Sequence, residues 1–390
     1  MRTRARTLTA LLLAVPLALV AACSGGGGRG GPSNADAKTV NAGGAIVIGT
    51  TLSLTGSLAA LGQPLAAGYR QEIANVNAAG GILIGGIREK LKLVVLDNGG
   101  DPSRAAAQAT ELVRTDHAVA LLGPATALIV TPTALTAEQL RVPLVTSQMP
   151  VEAFANGDKT GWTYSWDLFY DEQQQAADAA RALASAPGDK KVALFTDDEP
   201  DSVVERPLYE AAFTAAGLKV VGDYTFPVGT TDFAPFVSQA RAAGAQLLAG
   251  QLAPGDSAAL VKQLTSSGFR PKAAFLAGTS NAGYQSPAFG RVSQDPLSAG
   301  YWSPGQASPG QLALISPTLG REYSGRPDYA PAAIGYAVAE VLTDALAAAG
   351  SANPVTLNSA IAHTDARTTA GLVTFSQFTH TAITAYHVTG

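Results

Sequence analysis

One cysteine, Cys23, stands in 390 residues, so no internal disulfide can staple this chain. An exported protein without staples is held by its own core, and this length allows one, suggesting about two domains. Histidine is as scarce: His117, His363, His380 and His387 are the only four, and none lies near a serine elbow or a cysteine nucleophile. His380 and His387 read as solvated surface positions ahead of a metal pair. No G-x-S-x-G, H-E-x-x-H, Walker loop or kinase signature occurs, so neither an enzyme nor a cofactor has positive support. Charged residues make up 14% and the net charge is −4. With no basic stripe to receive phosphates, nucleic acid is excluded as a partner.

What the chain does have begins at its first residue. "MRTRARTLTALLLAVPLALVAA" (residues 1–22) puts Arg2, Arg4 and Arg6 ahead of a short apolar run. That is the layout of a secretory signal, and it is too short for a membrane span of about 20 apolar residues. Val20-Ala21-Ala22-Cys23 resembles the bacterial lipobox, which predicts cleavage before Cys23 and lipidation of that residue. Residues 23–44, rich in Gly, Ser, Ala and Asn, read as a flexible tether with an r.m.s. span of about 25 Å.

From Ala45 onward, short apolar runs alternate with helix-length segments. "AIVIGTTLSL", "LKLVVLDN", "AVALLGP", "VPLVTSQ", "KVALFTDD", "LKVVGDYTF", "AQLLAG" and "KAAFLAG" read as strands. "GQPLAAGYRQEIANVNAAGG" reads as a helix stopped by Gly80 and Gly81, and Asp101-Pro102 as the cap and first position of another. Continuous apolar strands separated by helices imply parallel sheets covered on both faces. The strands are too many for one compact sheet, so two doubly wound domains are expected. After Tyr301 the pattern gives helices over residues 309–323, 331–349 and 354–363, then "GLVTFSQF" and "AITAYHVTG" as a closing hairpin.

Ligands of open α/β sheets bind beyond the carboxyl ends of the strands. The loops there, residues 53–56, 123–126, 147–149, 197–201 and 280–281, are small and polar. The helices that follow offer backbone N–H groups to a carboxylate or carbonyl. "GWTYSWDLFYDE" (residues 161–172) concentrates aromatic residues in a chain only 7% aromatic. Trp166, Phe169 and Tyr170 are its candidates for a ligand-stacking wall where two domains join.

"IVIGTTLSLTGSLAALGQPLAAGYRQEIANVNAAGGI", "LVVLDNGGDPSRAAAQATELV", "ALLGPATALIVTPTALTAEQLRVPLVTS" and "YAPAAIGYAVAEVLTDAL" resemble the branched-chain amino-acid (Leu/Ile/Val) binding proteins. These are type I periplasmic binding proteins that serve ABC importers. The resemblance runs from Ala45 to Gly390. It implies an α/β fold of two Rossmann-like, doubly wound lobes joined by three hinge crossings, near Trp166, Pro296 and Val373. The N-terminal lobe would hold residues 45–166 plus 297–372, and the C-terminal lobe residues 167–296 plus 373–390. Ligand capture would follow from closure of the lobes.

The positions that match the family's ligand contacts are residues 125–127, with Thr126 and Ala127, and Ser147, Gln148 and Met149; the loop 55–62 matches the segment that closes over the ligand. Departures affect the substrate. Ala127 stands where leucine binders carry a hydroxyl, and their aromatic near Leu61 is missing. Asp201 replaces a tyrosine, Gln251-Leu252 replace an aromatic pair, and Ser280 replaces the carboxylate that receives the ammonium group. The usual zwitterion clamp is thus incomplete. Asp201 becomes the candidate ammonium acceptor, with Trp166, Phe169 or Tyr170 replacing lost aromatic surface. The ligand expected is small and polar or aromatic-bearing, an amino acid, amide or carboxylate, with leucine itself not assigned. The protein expected is a monomeric solute-binding lipoprotein on the outer face of the cell membrane, anchored at Cys23, partnered by an ABC permease, without cofactor or catalysis. A ligand sensor of the same fold is the alternative; an exported hydrolase using the carboxylates of residues 197–201 is a third.

Overall fold

The computed structural model describes residues 44–277, 293, 295–323, 329–384 and 387–389, so the signal-like segment, Cys23, the tether and Ser280 lie outside the described residues. The chain enters through β1 (Ala45–Leu52), whose β-branched and apolar side chains are almost all buried. β2 (Ile82–Ile84) and β3 (Ile87–Asp97) follow, then β4 (Ala120–Leu122), β5 (Leu144–Thr146) and β6 (Ser165–Phe169). With β14 (Thr381–Ile383) these form a seven-stranded sheet in the order β14-β6-β5-β4-β1-β3-β2. All pairings are parallel except β2 with β3. Burial on both faces explains why these strands read as unbroken apolar runs.

Strand alternation sends Ile46 and Ile48 to one face and Val47 to the other. The first face is covered by α1 (Ala59–Ala78) and α11 (Tyr329–Ala349), the second by α2 (Pro102–Arg114) and α3 (Ala127–Leu140). α11 is long and apolar enough to cross a membrane, but it is 78% buried within the protein and serves as the lobe's central core helix. It crosses α1 at a notch made by two glycines. A Cβ on Gly68 would lie 2.2 Å from the Ala332 carbonyl oxygen, and one on Gly335 2.7 Å from that of Leu65. α2 starts as its sequence predicts: the Asp101 carboxylate accepts the Ser103 and Arg104 amides, with Pro102 at the first position.

The other lobe repeats the plan. β7 (Lys191–Asp197), β8 (Lys219–Phe226), β9 (Leu247–Gln251), β10 (Ala273–Leu276), β11 (Asp295–Gly300) and β15 (His387–Thr389) form a six-stranded sheet, ordered β15-β11-β10-β9-β7-β8. α5 (Glu172–Ser185) and α6 (Pro200–Ala215) cover the face of Val192, Leu194 and Phe275. α7 (Ala234–Ala242) and α8 (Pro254–Ser267) cover that of Phe195, Leu248 and Leu276.

The chain passes from the seven-stranded to the six-stranded sheet after Phe169 and returns after Gly300. α9 (Pro309–Ile315), a π-turn over Ser316–Gly320, α10 (Arg321–Tyr323), α11 and α12 (Pro354–Ala362) then lead to a hairpin of β12 (Asp365–Thr368) and β13 (Gly371–Thr374). The expected crossing near Val373 and the expected closing hairpin both need correction. Residues 371–374 pair backward with β12, and Thr381–Ile383 joins the first sheet parallel to β6. The third crossing therefore lies between Ile383 and His387, where β15 pairs antiparallel with β11. His380 is not a solvated surface residue: it is buried and lies flat on Trp166, ring centroids 3.8 Å apart.

Candidate ligand-binding cleft

The carboxyl ends of the parallel strands of both sheets converge on one cleft. Thr126 follows β4, Gln148 and Pro150 follow β5, and Phe169 and Tyr170 close β6. Glu199, Asp201 and Ser202 follow β7, Gln251, Leu252 and Ala253 end β9, Ala277 follows β10, and Tyr301 follows β11. Leu61, from the start of α1, completes the lining. This is the placement that open α/β sheets give their ligands.

On the seven-stranded side the backbone is strained. Thr126, the residue before α3, has φ 66° and ψ 149°, and Gln148 has φ 61°. A β-branched residue rarely takes positive φ, and such outliers gather at binding sites. The two are tied together: the Thr126 amide donates to the Gln148 carbonyl at 3.1 Å. α3 opens without a side-chain cap, so amides of its first turn remain available at the wall that Thr126 forms. Thr126 Oγ1 and Gln148 Nε2 are buried and have no hydrogen-bond partner within the protein.

The facing wall is acidic. Asp197 accepts the amides of Glu199 at 3.3 Å and Ala253 at 2.5 Å. Burial nevertheless pushes its carboxyl up to about 7. Glu199 precedes α6 and is 3% exposed, with Oε1 unpartnered. Its burial, and next the Asp201 carboxyl beside it, hold it well above the ordinary glutamate range. Below lies a polar floor in which Glu205 accepts the Tyr170 hydroxyl at 3.1 Å and Gln175 Nε2 at 2.6 Å. Gln175 Nε2 also reaches the Gln251 side-chain oxygen at 3.3 Å. Burial, followed by Asp201, raises Glu205 too. Phe169, Tyr170 and Tyr301 form an aromatic wall: Phe169 lies 4.4 Å from Tyr170 and 4.8 Å from Tyr301 between ring centroids.

Of the residues singled out in the sequence, Thr126, Gln148, Phe169, Tyr170, Asp201 and Gln251 line this cleft. Trp166 does not. β6 starts at Ser165, so Trp166 shares the face of Leu168 and Val145 under α11. There its Nε1 donates to Asn358 Oδ1 at 2.8 Å and its ring packs on His380 and Phe375. Ala127 and Met149 belong to the core between the sheet, α2 and α3. Ser147 is fully buried behind the lining, its hydroxyl unpartnered. In the loop 55–62 only Leu61 reaches the cleft; Thr55 is fastened to the Asp97 carboxylate at 2.8 Å. Sequence reading passed over Glu199, which its place within the acidic loop could have signalled, and Tyr301, which carried no local signal. No group of three or more potential metal ligands occurs among the described residues.

Two hinged α/β lobes with a polar cleft at their strand ends define a type I periplasmic binding fold. Solved structures agree: a leucine binding protein from Thermotoga maritima superposes with a TM-score of 0.75 at 22% identity, over 88% of this chain and 94% of that one. A solute binding protein from R. palustris in complex with 4-hydroxybenzoate gives 0.72 at 19%, over 88% and 92%. The periplasmic binding protein family model matches residues 45–390, and the chain belongs to that family, one of binding proteins rather than catalysts. An amino acid binding protein of Pseudomonas aeruginosa is 28% identical over 224 residues, 57% of this chain and 58% of that protein. A Leu/Ile/Val-binding protein homolog of Brucella abortus is 26% identical over 241 residues, 58% and 57% respectively. The chain thus matches less than two thirds of the length of these curated relatives.

Proposed function

We propose that this protein is the extracytoplasmic solute-binding lipoprotein of an ABC importer, capturing an amino-acid-like ligand between its lobes. The observation that carries this reading is the pair of facing walls. Unpartnered Thr126 and Gln148 side chains and the start of α3 suit a carboxylate, and Glu199 and Asp201 opposite suit an ammonium group. The ammonium acceptor that the sequence lacks at Ser280 would instead come from Glu199 and Asp201, after β7. Ligand that touches both walls binds the closed arrangement better and shifts the hinge equilibrium toward it. The names of the amino acid binding relatives support the same ligand class.

The lipobox-like Cys23 would hold the body, a monomer, at the outer face of the membrane, within reach of a permease. One acyl chain anchors only marginally, whereas several hold stably. Cys23→Ser is expected to move the protein from the membrane to the soluble fraction; a variant that stays membrane-bound refutes the anchor. Mass spectrometry of the small molecules released from the purified, denatured protein is expected to show a compound with both a carboxylate and a charged nitrogen. Titration with the common amino acids that gives no binding refutes the ligand class.

A further inference from the structure

Among its described lining residues the cleft carries acid on one wall and no base: Glu199 and Asp201 are there, and no Lys, Arg or His. Behind them Asp197 and Glu205 are also buried acids, already engaged by backbone amides and by Tyr170 and Gln175. Glu172, on the neighbouring α5, is engaged by the backbone amides of Glu152 and Ala153. The ion pairs among the described residues, Arg181–Asp178, Lys191–Asp189 and Arg206 with Glu210 and Asp223, use none of the cleft carboxyls. The Glu199 side chain is more than nine-tenths buried with Oε1 unpartnered, and Thr126 Oγ1 and Gln148 Nε2, in the same lining, are likewise buried without a hydrogen-bond partner.

We propose that the preferred ligand is a basic amino acid, a net cation, whose carboxylate meets Thr126 and Gln148 and whose two charged nitrogens meet Glu199 and Asp201. This rests on the amino-acid reading above and narrows it. A neutral amino acid brings one positive nitrogen to two carboxyls, leaving the second uncharged or buried without a counter-charge, which is costly. A basic side chain supplies the second cation. The Phe169, Tyr170 and Tyr301 rings add a face on which a guanidinium or ammonium group is attracted electrostatically.

Capture should also release protons. The groups beside Glu199 are Asp197 from β7, Asp201 from α6 and the uncharged Thr126, whose hydroxyl favours the ionised form. Burial and these acids favour the neutral form of Glu199. A bound cation favours the ionised form, so affinity for a basic ligand rises with pH.

The test is calorimetric titration of the purified protein with L-arginine, L-lysine, L-leucine and 4-hydroxybenzoate, at about pH 6 and about pH 8, in two buffers of different ionisation heat. Arginine or lysine is expected to bind at least about tenfold more tightly than leucine, more tightly at the higher pH, with proton release. Glu199→Gln, its fold checked by thermal melting, is expected to abolish that preference; Asp201→Asn provides the same test should the first variant not fold. Leucine binding more tightly than both basic amino acids overturns this inference and leaves the proposed function standing; 4-hydroxybenzoate binding more tightly than all three amino acids overturns this inference and the amino-acid reading together. Preferential arginine or lysine binding that survives both substitutions overturns the assigned contacts. No binding by any of the four overturns this inference, and the amino-acid reading falls with it when the other common amino acids also fail to bind.

Discussion

Glu172 and Glu152 cap one another across the first hinge crossing. Glu172, opening α5, accepts the Glu152 and Ala153 amides of the short helix α4 (Val151–Ala155) at 2.9 Å each. The Glu172 amide in turn donates to Glu152 Oε2 at 3.2 Å. A helix that packs on the seven-stranded sheet is thus fastened to one that covers the six-stranded sheet. Glu172→Ala leaves two amides of α4 unsatisfied at a buried site, a loss of about 1–3 kcal/mol. Melting is expected several degrees lower, with Glu172→Gln recovering part of the loss. Unchanged melting in Glu172→Ala would show that the clasp contributes nothing.

Trp166 tests where the cleft ends. It is 1% exposed and packs among His380, Phe375 and Leu168. Trp166→Phe removes its hydrogen bond to Asn358 and some core volume, so melting temperature should fall while ligand affinity of the folded protein stays unchanged. A large loss of affinity without loss of stability would return Trp166 to the binding wall.

Thr126 holds its backbone at φ 66° and ψ 149°, a conformation that costs about 1–3 kcal/mol for a residue with a Cβ. Thr126→Gly relieves that strain and removes the cleft hydroxyl. The expected result is a protein at least as stable as the parent, glycine's added chain entropy notwithstanding, that binds ligand more weakly. Thermal melting and titration of the same sample read both effects. A variant both less stable and fully competent to bind would contradict the assignment.

Stability should fall as the solution is made more alkaline. Asp197 keeps its proton to about pH 7 in the folded protein, against 3.8 for an ordinary aspartate. Glu340, at about 7, and Asp256, at about 6, are raised in the same way, chiefly by burial. Between these limits the folded state binds more protons than the unfolded chain, so unfolding becomes easier as pH rises. Asp97 is shifted downward by its hydrogen bonds; its contribution is lost only on acidification below the usual aspartate range and does not act here. Ligand-free protein is expected to melt at a higher temperature near about pH 5 than near about pH 8, with a shallower slope in Glu340→Gln. A melting temperature that climbs over this interval refutes the assignment.

Much of this architecture was legible because its signals are local. Asp101-Pro102 starts α2, and unbroken apolar runs mark β1, β7 and β9 as strands buried on both faces. What escaped depended on distant pairing or on phase. Thr381–Ile383 joins a sheet whose other strands lie more than 200 residues earlier, and three residues carry no periodicity. Alternation across residues 162–170 separates Trp166 from Phe169 without saying where the strand ends, and β6 ends at Phe169. Its carboxyl end therefore brings Phe169 and Tyr170 to the cleft and leaves Trp166 inside the core. Glu199 was passed over because an acidic residue before a helix is usually a capping choice; its unpartnered oxygen is a tertiary fact.

The route of the chain between the two sheets also decides how the protein meets proteases. Neither lobe is a contiguous stretch: the seven-stranded sheet takes its strands from residues 45–169 and again from residues 381–383, and the six-stranded sheet from residues 191–300 and 387–389. A cut at any one crossing leaves two covalent links between the lobes. A single nick at the hinge therefore yields fragments that remain interwoven, and two further cuts are needed before the halves of the cleft can part.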